Sequence, residues 1–144
     1  MYRLMHKITM GLSFFLYTIY TQSMAKKILI VEDEKALATV LNLKLKNAGF
    51  DAVVMYNGDD ALQAIKEGGY DLVLVDIMMP KRDGFSVLEE LKKIGNTTPI
   101  FVMSNLGQKE DVEHVKSLGA KDYIIKAETS PAEILEKVNA FFTH

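Results

Sequence analysis

Five short apolar runs, each separated from the next by a stretch of helical character, constrain this chain more than any other feature. They are Ile28 to Val31, DAVVMY (51–56), DLVLVD (71–76), TPIFVMS (98–104) and KDYIIK (121–126). A run that is apolar at consecutive positions reads as a strand buried on both faces. Such strands belong to parallel sheets covered by helices on both sides. The stretches between them fit. Leu37, Val40, Leu41 and Leu45 recur at helical spacing, and Gly49 stands where a helix stops. NGDDALQAIKEGG offers Asn57 or Asp59 as a cap and Gly68-Gly69 as a close. FSVLEELKKIG is apolar at Phe85, Leu88, Leu91 and Ile94. In NLGQKEDVEHVKSLG only Val112, Val115 and Leu118 form a stripe, so that helix is thinly held. The last helix opens with Ser130 as N-cap, Pro131 at N1 and Glu133 at N3, and presents Ile134, Leu135, Val138 and Phe142.

Strand-helix alternation of this kind predicts an α/β domain: a doubly wound, five-stranded parallel sheet with five helices. Right-handed crossovers leave few topologies, and the flavodoxin-like order 2-1-3-4-5 is the favoured one. At 144 residues the chain is long enough for one domain, placed here at 26–144. A formal charge of −2 gives no electrostatic case for direct nucleic-acid binding. The absence of cysteine excludes disulfides and thiolate chemistry, and fits a reducing compartment.

Residues 1–25 are set apart by composition. Arg3, His6 and Lys7 precede an apolar stretch, and the small residues Ser23 and Ala25 follow it. That order is signal-like. The plainer reading is that MAKKILIVEDE is the natural opening of a cytoplasmic protein, with a non-structural extension before Met24. A third reading is an added helix that packs on the domain.

In a parallel sheet all carboxyl ends meet one edge, and the crevice opens where strand order reverses, between the first and third strands. The first strand ends in Glu32-Asp33, the third in Asp76, the fourth in Ser104 and the fifth in Lys126. Three carboxylates in one crevice repel: at about 4 Å and an effective dielectric near 20, one pair costs on the order of 4 kcal/mol. A proton or a cation must answer that charge. Open carboxylate oxygens suit Mg²⁺, with Glu32, Asp33, Asp76 and the backbone carbonyl of Met78 as ligands. Taken singly, each residue has a simpler role. Asp33 or Glu34 caps a helix, Asp76 ends a turn, Ser104 is a loop hydroxyl and Lys126 a solvated charge. It is the joint placement at four strand ends that points to chemistry.

From Lys26 onward the chain resembles the receiver (response regulator) domains of two-component phosphorelays. The resemblance rests on ILIVEDE, DLVLVDIMMPKRDG, PIFVMSN and GAKDYIIKA. It implies that Asp76 is the phosphoacceptor, taking a phosphoryl group from a phosphohistidine, with Glu32, Asp33 and Asp76 holding Mg²⁺. It implies that Lys126 pairs with the phosphoryl oxygens and that Ser104 and Tyr123 form the switch. On the residues alone, Tyr123 could equally be a half-buried strand tyrosine. Two positions depart from the family pattern. Ala127 follows Lys126 where a proline is usual, and a cis bond before alanine costs roughly 2.5–4 kcal/mol, so a trans bond is expected. Asn105 follows Ser104 where a small residue is usual, and is expected to narrow phosphoryl access.

The implied activity is signalling rather than enzymatic turnover. The implied partners are a sensor histidine kinase or histidine phosphotransfer protein. A downstream protein is expected on the surface made by the domain's fourth helix, fifth strand and fifth helix. Because the chain stops one helix after Lys126, no output domain is expected within it. Two other classes compete. One is a metal-dependent phosphohydrolase with an aspartate nucleophile, which usually carries a D-x-D motif, whereas Asp76 is followed by Ile77-Met78. The other is a flavin or nucleotide binder, which Glu32-Asp33-Glu34 would repel without a metal. No small-molecule cofactor is expected.

Overall fold

All five apolar runs are strands of one parallel sheet. In the computed structural model, which describes residues 1–143 (backbone only for 21–23), β1 spans Lys27–Val31, β2 Asp51–Met55 and β3 Leu72–Asp76. β4 spans Ile100–Ser104 and β5 Asp122–Ile125. The order across the sheet is β2-β1-β3-β4-β5, as expected, and every neighbouring pair is parallel.

The helices are α1 Tyr2–Met24, α2 Lys35–Asn47, α3 Gly58–Glu67, α4 Gly84–Lys93, α5 Lys109–Ser117 and α6 Pro131–Thr143. Six helices are thus described, where five were expected. The additional one is α1, which lies in the extension and precedes the first strand, so strand-helix alternation could not reveal it. Its sequence contains no proline and a single glycine, Gly11, and nothing in it breaks a helix. It shows no buried stripe: every described side chain of α1 except that of Thr18 is exposed, including Leu4, Phe14, Phe15 and Leu16. Among the described residues no helix is long and apolar enough to cross a membrane. The side chain of Ser23, half of the signal-like pair, lies outside the described residues.

Alternate residues of each strand serve opposite faces. Leu29, Val31, Val73, Val75 and Val102 pack on one face with Ala61, Ile65, Val87, Leu88, Leu91 and Val115 of α3, α4 and α5. Ile28, Ile30, Leu72, Leu74, Phe101 and Met103 pack on the other with Leu41, Leu45, Ile134 and Val138 of α2 and α6. Leu41, Leu45, Leu88 and Leu91 are buried as read in the sequence, and two positions differ. Val40 and Ile94 are exposed, while Ala38 and Val87 are buried; Ile94 is the C-cap of α4 and lies past its buried face. Val115 is the only fully buried residue of α5, so the thin stripe there is real. The start of α6 is a reciprocal capping box: Glu133 N donates to Ser130 Oγ and Ser130 N to Glu133 Oε2, each at 3.2 Å.

Candidate functional site

The register of the sheet assembles the site. Val31 pairs with Val75, so Glu32 and Asp76 leave adjacent strands at the same level. Asp76 pairs with Met103, one residue before Ser104, and Ser104 pairs with Ile125, one residue before Lys126. The five residues predicted at strand ends therefore converge on one edge, at the β1/β3 reversal.

Two of the carboxylates are deeply buried. Glu32 is 0% exposed and Asp76 3%, while Asp33 is exposed at the rim. One oxygen from each of Glu32, Asp33 and Asp76 lies within 4.8 Å of the others, a spacing that could hold a metal ion. The Lys126 ammonium stands between the buried pair. Its Nζ donates to Asp76 Oδ2 at 2.8 Å and lies 2.8 Å from Glu32 Oε2. The second contact is an ion pair without hydrogen-bond alignment, and Glu32 Oε2 accepts no aligned hydrogen bond from the described residues. A buried carboxylate oxygen in that state suits a hard cation by the chemistry of its donor set.

Charge state follows from these contacts. Burial pushes the Glu32 carboxyl above its ordinary value of 4.5; the Lys126 contact and the Glu34 amide (Glu34 N to Glu32 Oε1, 3.0 Å) oppose the shift, and the Asp76 charge reinforces it. Burial alone would lower the Lys126 ammonium. Its bond to Asp76, its close contact with Glu32 and the field of both carboxylates together outweigh that, and hold it above the ordinary lysine range.

The loop after β3 is shaped to hold Asp76. Met78 N donates to Asp76 Oδ1 at 3.0 Å, and the Met78 side chain points to solvent. Gly84 N donates to Ile77 O at 2.8 Å. A Cβ on Gly84 would meet Asp76 O at 2.7 Å and Ile77 Cα at 2.8 Å, so the D-G pair of the motif is a steric requirement of the site. Gly58 plays a similar part from α3, since a Cβ there would fall 1.9 Å from Arg82 O. Arg82 is fastened by Asp59 at 2.9 Å and by Ser86 at 2.9 Å.

Ser104 is fully buried, and its Oγ accepts from Leu106 N at 3.0 Å. The Tyr123 hydroxyl donates to Leu106 O. Burial raises the Tyr123 phenol, with the neighbouring Ser104 side chain opposing it. Ser104 and Tyr123 are thus joined through one residue, Leu106.

Three features of the site, Glu34, Gly58 and Arg82, were missed or misassigned in the sequence. Glu34 stands at the N-cap of α2 without a side-chain cap bond, and its Oε2 lies 3.9 Å from Lys126 Nζ. Gly58 and Arg82 gave no signal, because their partners are distant in sequence. Asn105, expected to narrow access, turns its carboxamide to Ala127 N at 2.9 Å. As expected, Lys126-Ala127 is trans: no peptide bond among the described residues is cis.

The comparisons agree with this geometry. The family model for the response regulator receiver domain matches residues 28–139. The transcriptional regulatory protein DltR of Streptococcus agalactiae is 43% identical over 100 residues, covering 69% of this chain and 45% of that protein. The uncharacterized transcriptional regulatory protein YkoG of Bacillus subtilis is 40% identical over 109 residues, covering 76% of this chain and 46% of its own. The chain thus spans about half the length of these curated relatives (45% and 46%). Among solved structures, the receiver domain of the Francisella response regulator 1452 is 32% identical at a TM-score of 0.77, covering 82% of this chain and 97% of that one. The BeF3-activated receiver domain of Klebsiella pneumoniae RstA is 32% identical at 0.70, covering 80% and 97%.

Proposed function

This chain belongs to the response regulator receiver family, and from that premise we propose that Asp76 is the acceptor of a phosphoryl group from a phosphohistidine. The observation that carries the reading is the Lys126 ammonium shared at 2.8 Å by the buried carboxylates of Asp76 and Glu32. Asp76 is held by Met78 N at one oxygen. Its other oxygen is the nucleophile: it forms the new bond to phosphorus as the bond from phosphorus to the imidazole nitrogen breaks, and the imidazole leaves with the electron pair. Lys126 then turns from the Asp76 oxygen to the phosphoryl oxygens. The Ser104 hydroxyl rotates from Leu106 N to donate to one of them, and Tyr123 follows inward as its tie to Leu106 loosens.

Glu32, Asp33 and Asp76 would hold Mg²⁺, with the Met78 carbonyl as a fourth protein ligand. An ion held there would supply neutralisation of charge on the transferring group, which is most of what phosphoryl transfer requires. In this reading the receiver domain is residues 26–144, residues 1–25 lie outside it, and the protein acts in the cytoplasm. The phosphodonor is a sensor histidine kinase or a histidine phosphotransfer protein. Output passes to a protein docking on α5, β5 and α6, the thinly packed α5 being the element most easily biased, and residues 26–144 make no direct nucleic-acid contact. The activity is signalling, with at most self-catalysed gain and loss of the phosphoryl group.

The test uses a small acyl phosphate and Mg²⁺ with intact-mass detection. Wild type should gain one phosphoryl group and Asp76→Asn none. Full gain on Asp76→Asn would end the proposal. Steady turnover of a generic phosphate ester would move the reading to a phosphohydrolase.

A further inference from the structure

The two departures from the receiver pattern meet each other. Asn105 Oδ1 accepts a hydrogen bond from Ala127 N at 2.9 Å. The pairing of Ser104 with Ile125 brings the ends of β4 and β5 side by side, and each of these residues lies just past its strand. Proline at 127 would have no N–H to offer, so this bond requires a residue such as alanine there.

The peptide unit caught by Asn105 is the one that joins Lys126 to Ala127. Holding it fixes the ψ angle of Lys126, and so the direction in which that side chain leaves the backbone. The turn that follows, a 3-10 segment over Lys126–Glu128, has no side-chain cap and no buried residue. Its Lys126 side chain is held at the far end by Asp76 and Glu32, but no cap or buried residue holds its backbone. The bond from Asn105 ties that backbone to the end of β4, on the side where Ser104 stands.

We propose that Asn105 is a positioning residue: through the Ala127 amide it aims the Lys126 ammonium at Asp76 and at the phosphoryl group Asp76 receives. This rests on Asp76 being the phosphoacceptor. It also reverses the sign expected from size alone. A side chain that merely crowded the entrance would slow phosphorylation, and its removal would speed it. A side chain that aims Lys126 speeds phosphorylation, and its removal slows it.

The experiment follows phosphoryl gain by intact mass on the full chain, with acetyl phosphate and Mg²⁺, for wild type, Asn105→Ala and Asn105→Asp. Salt at about 0.5 M screens the charge that aspartate adds at this exposed position. Asn105→Ala should slow the initial rate about two- to fivefold, the factor carried by one hydrogen bond of modest net strength. Asn105→Asp, which keeps the acceptor oxygen, should fall between alanine and wild type. Thermal midpoints should stay together, since the site is exposed. A rate for Asn105→Ala equal to or above wild type would overturn the proposal, as would Asn105→Asp no faster than Asn105→Ala. No gain on wild type would instead sink the phosphoacceptor reading, and this one with it.

Discussion

Lys126 Nζ donates to Asp76 Oδ2 at 2.8 Å, joining two strand ends that are fifty residues apart in the chain. The same ammonium touches Glu32 Oε2 at 2.8 Å. One cation therefore answers two buried anions, and the four carboxyl groups around it (Glu32, Asp33, Glu34 and Asp76) leave the site short of positive charge. The consequences of that imbalance can be measured.

Replacing Lys126 with Met keeps the stem and removes the charge. With its side chain only 11% exposed, the loss leaves Glu32 and Asp76 facing each other without a counter-ion. Breaking a buried pair from one side costs roughly 3 kcal/mol. Urea unfolding without divalent metal should show a loss of that order for Lys126→Met. An unchanged midpoint would mean that the ammonium contributes nothing to the resting fold.

Mg²⁺ should stabilise the wild type, because it binds only the folded arrangement of Glu32, Asp33 and Asp76. At ten times its dissociation constant the gain is about 1.4 kcal/mol. Asp33→Asn should weaken that gain and raise the metal-free stability by roughly 0.2–1 kcal/mol, through relief of repulsion at the exposed rim. Glu34 takes the N-cap position without a side-chain bond; a loss of metal-free stability in Asp33→Ala that Asp33→Asn, which can still cap, does not share would assign Asp33 to capping after all.

The raised Glu32 carboxyl sets a pH dependence. A group whose folded pKa lies above its unfolded value keeps more protons in the folded state, so stability falls as pH rises between the two. For Glu32 the contribution is fully present below about 4.5, its ordinary value, and is lost as pH rises through the higher folded value. Glu32→Gln cannot titrate. Without metal, the stability of wild type relative to Glu32→Gln should therefore decline as pH rises from 4.5. A constant or rising difference would show that Lys126 already neutralises Glu32 in full.

Tyr123→Phe removes the hydroxyl that bonds Leu106 O. About 1 kcal/mol of stability should go with it, since the carbonyl loses its protein partner. The initial rate of phosphorylation should stay within about twofold of wild type, because the bond that is lost ends on the loop and not on Asp76. A tenfold fall would place Tyr123 in the chemistry itself.

The parts of this molecule legible in its sequence are those set by local pattern. Consecutive apolar residues mark the strands, and Ser130, Pro131 and Glu133 mark the start of α6. Once the strand order is known, the convergence of Glu32, Asp76, Ser104 and Lys126 follows from chain geometry alone. What stayed hidden depends on contacts between distant residues. Gly58 matters because Arg82 crosses above it, and Leu106 because Ser104 and Tyr123 reach it from two strands. The partnership of Asn105 with Ala127 needs the β4–β5 register to be seen. The helix α1 was one of three readings of residues 1–25, and the sequence could not choose among them: with no buried stripe, it has no core-facing pattern to display.

The most direct measurement is the location of the phosphoryl group. The full chain is incubated with acetyl phosphate and Mg²⁺, reduced with borohydride, digested and mapped by mass spectrometry. Hydride converts an acyl phosphate to an alcohol. If Asp76 is the phosphoacceptor, the aspartate at position 76 alone is reduced, and only in the phosphorylated sample. Reduction at Asp33, Asp83 or any other carboxylate, with position 76 intact, would contradict it.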